Sequence, residues 1–95
     1  MNAMYQVLYR EDGLYDEERE LGAPYPVAIL ERWAANSTVR YIVTVGWQEL
    51  TQWGNDWANE PITTMLDVTS DAAAIRYAIK AYDAFRAERY VAHKK

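Results

Sequence analysis

TSDAAAIRYAIKAYDAFRAERY, residues 69–90, reads as one amphipathic helix, and the rest of the chain is arranged to give that helix something to lie on. Ile75, Ala78, Ile79, Tyr82 and Phe85 fall within an arc of roughly 120° at helical pitch, the width of a core-facing stripe. Arg76, Tyr77, Lys80 and Ala84 lie outside it. Thr69 or Ser70 can accept a hydrogen bond from an orphan backbone N–H and so cap the start. Asp71 then places negative charge at the positive end of the helix dipole, and Arg86, Arg89, Lys94 and Lys95 place positive charge at the other. The alanines are strong helix formers, and no Gly or Pro interrupts the run.

Upstream, the chain reads as sheet. Thr38–Trp47, TVRYIVTVGW, alternates with Val39, Tyr41, Val43 and Val45 on one face, a strand pattern rich in β-branched residues. Asn36-Ser37 before it is a turn signal. Val27–Ala35 fits either period. A helix would use Pro26 at its first position. The strand is preferred because the Asn-Ser turn then makes a hairpin with the Thr38–Trp47 strand. Met4–Arg10 alternates as a strand, with Tyr5, Val7 and Tyr9 on one side and Met4, Gln6, Leu8 and Arg10 on the other. Asp12-Gly13 supplies a turn pair, with Leu14 and Tyr15 a possible short return strand. Asp16–Glu20, DEERE, is an acidic knot. Gly22, Pro24 and Pro26 break any helix and lead into extended chain.

Gln48–Glu60 interrupts the strand pattern. Leu50, Trp53 and Trp57 fall at i, i+3 and i+7, the spacing of a short helix, although Gly54 and Asn55 weaken it. Ile62–Val68 then reads as a last strand running into the helix cap. The predicted fold is a two-layer α+β domain over residues 1–95: three or four antiparallel strands with one long C-terminal helix packed across one face. Residues 1–3 read as non-native or disordered and residues 91–95 as a mobile tail.

A chain of 95 residues, 51% of them hydrophobic, can bury a core without staples. There are no cysteines, which removes disulfides and thiolate chemistry. No secretory leader and no membrane span are expected, and a cytoplasmic location is the resulting expectation. Net charge is −4, with seven acids and two bases in residues 1–31 against three acids and six bases in residues 70–95. That placement argues against duplex nucleic acid, which needs clustered Lys and Arg.

Catalytic signals are weak. The one histidine is His93, close to the end of the chain. Ser37 and Ser70 belong to a turn and a cap, outside any nucleophile elbow. No phosphate-binding glycine loop and no calcium-loop spacing occurs, so no cofactor or metal is expected. The chain reads as a non-enzyme. A carboxylate pair such as Glu49 and Glu60 is the kind that chance supplies.

Four Trp and eight Tyr are the anomaly. Trp33 and Trp47 read as core. Trp53 and Trp57, among Gly, Asn and Asp, read as exposed. With Trp47, Asp56 and Glu49 they form the candidate binding surface of a protein-interaction module that meets a protein partner or a second copy of itself, since exposed Trp and Tyr are favoured interface anchors. An open sheet edge is a further route to self-pairing. Two alternatives stand beside it. One is an acidic inhibitor or nucleic-acid mimic of the phage accessory type, built on Glu11, Asp12, Asp16, Glu17, Glu18 and Glu20. The other is a small-ligand pocket lined by Tyr and Trp between helix and sheet.

Overall fold

The computed structural model describes the backbone of residues 3–93 and the side chains of residues 3–88. Five strands, β1 (Met4–Asp12), β2 (Tyr25–Ala35), β3 (Thr38–Thr51), β4 (Gly54–Trp57) and β5 (Ile62–Met65), precede one helix, α1 (Asp71–His93). They form an antiparallel sheet in the order β1-β2-β3-β4, with β5 also on β3. The two-layer α+β arrangement is the one the sequence predicts. Expectations for residues 1, 2, 94 and 95, and for the side chains of Arg89 and His93, lie outside the described residues.

The ambiguous stretch 27–35 is strand, paired residue for residue with β3 from Ala35↔Thr38 to Tyr25↔Gln48. Asn36 turns the hairpin with φ 57°, a left-handed conformation that Asn tolerates better than most residues. Two sequence expectations fail downstream. Residues 48–57 are not helical: β3 runs on to Thr51 and folds back as β4, with Gln48 opposite Trp57 and Thr51 opposite Gly54. Gly54 has φ 115°, open to glycine at little cost. The Thr51 hydroxyl donates to the Gly54 carbonyl and accepts from the Trp53 N–H, tying the turn internally. The last strand is also shorter than expected, ending at Met65. Because β3 is 14 residues long, its far edge accommodates two short strands in succession, β5 beside Ile42–Val45 and β4 beside Gln48–Thr51.

Strand β1 carries a bulge. Its pairing with β2 runs in register to Val7↔Glu31 and resumes at Tyr9↔Leu30, leaving Leu8 extra. The extra residue flips every side chain after it to the opposite face. Tyr9 therefore does not share a face with Tyr5 and Val7. Leu8 and Tyr9 pack against the core, while Arg10 joins Tyr5 and Val7 on the far side. Leu14 and Tyr15 form a turn and no return strand.

The core lies between α1 and one face of the sheet. Ala28, Leu30, Tyr41, Val43 and Val45 meet Ala74, Ala78 and Tyr82, with Ile75, Ala81 and Phe85 partly buried around them. The buried stripe is rotated from the predicted one: Ala74 is fully buried, and Ile79 is 39% exposed. Small Ala74 and Ala78 let the helix come close to the sheet, where the rings of Tyr41 and Tyr82 fill the remaining volume. At the helix start, the Ser70 hydroxyl accepts from the Ala73 N–H, so Ser70 and not Thr69 is the cap. Asp71 accepts a hydrogen bond from the Tyr41 hydroxyl and sits 3.3 Å from the Arg32 guanidinium, which pins the first turn to the sheet.

Tyr82 provides a pH test. Burial, above all, raises its hydroxyl from 10.0 to about 12. Tyr25 and Tyr9 are also raised, mainly by burial, and Tyr41 mainly by its bond to Asp71. A tyrosine raised in the folded state holds its proton more tightly there than in the unfolded chain. Its contribution to stability is complete below pH 10 and falls away as pH rises from about 10 to 12. Alkaline unfolding measured by circular dichroism is expected in that window, with Tyr82→Phe less sensitive to pH across it.

Candidate interaction surface

One face of the sheet carries α1; the other carries no helix among the described residues and is uncovered around Tyr5 and Trp33, whereas towards its other end Tyr25, Val27 and Gln48 are buried and Trp57 and Pro61 close over Gly46. Strand alternation and register place Tyr5, Val7 and Arg10 of β1, Ile29, Glu31 and Trp33 of β2, Arg40, Ile42, Thr44 and Gly46 of β3, Met65 of β5 and Trp57 of β4 on that open face. Tyr5, Val7, Trp33 and Met65 are exposed, from 43% for Trp33 to 63% for Met65. Exposed apolar side chains gathered on one face are the kind of patch that can serve in contacts; Tyr15, Leu21, Trp53 and Ile62 are exposed elsewhere.

The surface has relief. Tyr5 and Trp33 are directly opposite neighbours on adjacent strands, with ring centroids 4.5 Å apart and planes tilted by 53°. The Tyr5 hydroxyl donates to Glu31 at 2.7 Å, which fixes the ring, and that bond is the chief cause of a raised Tyr5 pKa. This aromatic ridge has a hollow on each side. The larger, about 560 Å³, is lined by Trp33, Arg40, Ile42 and the β2–β3 turn. The smaller, about 300 Å³, is lined by Tyr5, Val7, Arg10, Ile29, Glu31, Thr44 and Trp57. Arg10 reaches over β2 to donate to Gln48 at 3.2 Å and lies 3.6 Å from Asp12. Gly46 makes room for the far wall: a methyl there would lie 3.0 Å from Pro61 and 3.1 Å from the Trp57 ring.

The candidate residues named from sequence do not assemble as one patch. Trp33, expected in the core, is part of the exposed ridge, because its position on β2 is out of phase with Leu30 and Ala28. Trp47 lies on the helix side, its ring 4.6 Å from that of Phe85. Glu49 and Asp56 are opposite each other on the helix side of β3 and β4. Trp57 is half-buried on the open face. Trp53, at the β3–β4 turn, is 85% exposed, as expected. Tyr5, Val7, Ile42 and Met65, not named from sequence as candidates, also lie on the open face. Alternation signals each strand, but which of its faces is left uncovered depends on where α1 lies.

The acidic stretch divides in the same way. Asp16 points inward: its carboxylate is only 7% exposed, accepts from Arg86 at 2.6 Å and from the Glu18 N–H at 3.0 Å. Asp12 accepts from the Leu14 N–H. Glu11, Glu17, Glu18 and Glu20 are exposed, the first three around an open hollow that Tyr15 and Arg86 also line. Arg19 organises this loop, donating to the carbonyls of Leu14, Glu20 and Ala23 and lying 5.5 Å over the Tyr25 ring.

Among the described residues, no group of three or more His, Asp or Glu is placed to hold a metal ion and no helix is long and apolar enough to cross a membrane. Comparison with protein-family models, curated proteins and solved structures finds no match to this chain.

Proposed function

We propose that this chain is a non-enzymatic protein-interaction module whose working surface is the open face of the sheet, centred on Tyr5 and Trp33. The supporting observation is the exposed aromatic ridge itself, with the Tyr5 hydroxyl bonded to Glu31. Aromatic rings are favoured interface anchors, because they bring a large contact area on few rotatable bonds. The occupant is a protein, in a cytoplasmic setting, with no cofactor. The charged groups lining the two hollows are Arg40 on one side of the ridge and Arg10 and Glu31 on the other, and not the convergent acid–base groups of a reaction centre.

The acidic-mimic reading has less support. Asp12 and Asp16 are engaged within the fold, and Arg86 sits among the remaining carboxylates. A pocket between helix and sheet also has less support, because Leu30, Tyr41, Val43 and Tyr82 occupy that space.

Trp33→Glu tests the proposal. Trp33 is 43% exposed, so the fold is expected to survive, as judged by circular dichroism and thermal melting. Association, with itself in sedimentation or with a partner in a binding assay, is expected to be lost. Trp53→Glu, at the turn, is expected to leave it intact. Association that survives Trp33→Glu and fails in Trp53→Glu moves the surface to the β3–β4 turn.

A further inference from the structure

Apart from the open face, a hollow lies between α1 and the loop that follows β1. We infer that it binds ammonium groups carried on a flexible chain, those of a polyamine or of a partner's lysines, with the Tyr82 hydroxyl as its deepest contact.

Tyr82 carries the inference. Its side chain is 5% exposed and its ring belongs to the core, yet it lines the hollow beside Glu11, Glu17 and Glu18. Its hydroxyl makes no hydrogen bond among the described residues. The charges it feels are those of Arg86, Glu11, Asp12 and Asp16, all four of which line the same hollow. A hydroxyl so enclosed is costly to leave unpaired, and the side from which it can be satisfied is the hollow. Gly13 leaves that side open, since a methyl on it would lie 3.4 Å from the hydroxyl oxygen.

Charge selects the ligand. Two of the carboxylates around the hollow have cations of their own: Asp16 has Arg86 at 2.6 Å, and Asp12 has Arg10 at 3.6 Å. Glu11, Glu17 and Glu18 are exposed and have no ion-pair partner among the described residues. The hollow is therefore negative after its internal pairs are set aside, which favours a cation. These carboxylates do not converge, and no three among the described residues are placed to hold a metal ion. A bare divalent ion needs several oxygens close around it. Ammonium groups spaced along a chain instead carry their own donors to separate acceptors. The volume, about 510 Å³, has room for alkyl chain between them. The Tyr15 ring, which also lines the hollow, adds an aromatic surface of the kind that attracts cations.

The test is isothermal titration calorimetry on the whole chain at low ionic strength. One arm uses spermidine and the other a tri-lysine peptide capped at both ends. Saturable binding of at least one probe is expected, and the tighter of the two identifies the source of the ammonium groups. Tyr82→Phe keeps the ring and removes only the hydroxyl; it is expected to weaken binding by about tenfold, the effect of losing one hydrogen bond to a charged group. Glu17→Gln with Glu18→Gln is expected to weaken it by about as much. Asp67→Asn removes a carboxylate ahead of the helix start, about three turns from Tyr82, and is expected to change it by less than about twofold. Folding of each variant is checked by circular dichroism. No saturable binding of either probe overturns the site. Wild-type binding in Tyr82→Phe, or an equal loss in Asp67→Asn, also overturns it, because the attraction is then that of an acidic protein in general. If Tyr82→Phe does not fold, the exposed Glu17 and Glu18 pair decides the matter: binding unchanged without those two charges overturns the site.

Discussion

Leu30→Ala is expected to lower unfolding stability by about 2–5 kcal/mol, the range for a leucine truncated in a close-packed core. Leu30 is fully buried on the central strand β2, flanked by Tyr9 on β1 and Val43 on β3. It belongs to the same cluster as Ala74 and Ala78 of α1. Those neighbours are alanines and β-strand side chains, none of which can swing in to fill a void, so the cavity term adds to the lost transfer free energy. A domain of this size has only about 5–15 kcal/mol in total, so the loss is a large fraction of it. Urea denaturation monitored by circular dichroism measures it. The informative companion is Ile79→Ala. Its side chain is 39% exposed, and the expected cost is below about 1 kcal/mol. Equal costs at the two positions would mean that α1 presents Ile79, and not Ala78, to the sheet.

Arg86→Met is the second large effect. The Asp16–Arg86 contact joins residues 70 positions apart and ties the loop before β2 to α1. Asp16 is nearly enclosed, whereas Arg86 is 43% exposed. Removing a partner from a fully buried pair costs about 3–5 kcal/mol. Water reaches this one from the arginine side, so about 1–3 kcal/mol is expected. The cost arises from the nearly enclosed carboxylate, which keeps the Glu18 N–H and loses the two hydrogen bonds from the Arg86 guanidinium. Asp16→Ala with Arg86→Met is therefore expected to be more stable than Arg86→Met alone, although it removes more. A double-mutant cycle in urea checks the ordering. If the double variant is the less stable, the buried carboxylate is not the source of the loss.

Much of the fold was legible before any coordinates. The helix over residues 69–90 and the Asn36-Ser37 hairpin arise from strong local signals: sustained period, a cap, a turn pair. What was illegible depended on contacts between distant residues. The spacing of Leu50, Trp53 and Trp57 fits a helix turn or a hairpin equally well over so short a span. The hairpin forms because β3 has a free edge for β4 to complete. Nothing in MYQVLYR marks Leu8 as an extra residue, yet that one position reverses Tyr9 and Arg10.

The surface the structure leaves open is not in the place that the sequence suggested. The excess of tryptophan and tyrosine pointed to a contact surface, and Trp53 is as exposed as its polar neighbours suggest. Trp33 was misplaced because burial on a strand is decided by which face the helix covers. The helix's own phase was displaced as well: apolar size favours Ile79, but close approach to a sheet favours Ala74 and Ala78. With the helix settled on Leu30 and Val43, Trp33, Tyr5, Ile42 and Met65 are left on the other side together.

Oxidative footprinting at low and high protein concentration, read residue by residue, bears most directly on whether that side is the working surface. Tyr5, Trp33 and Met65 are expected to be labelled in dilute solution and shielded together as association proceeds, with Trp53 labelled throughout as the internal control. Shielding of Trp53 while Tyr5, Trp33 and Met65 stay reactive in the associated state would contradict the account.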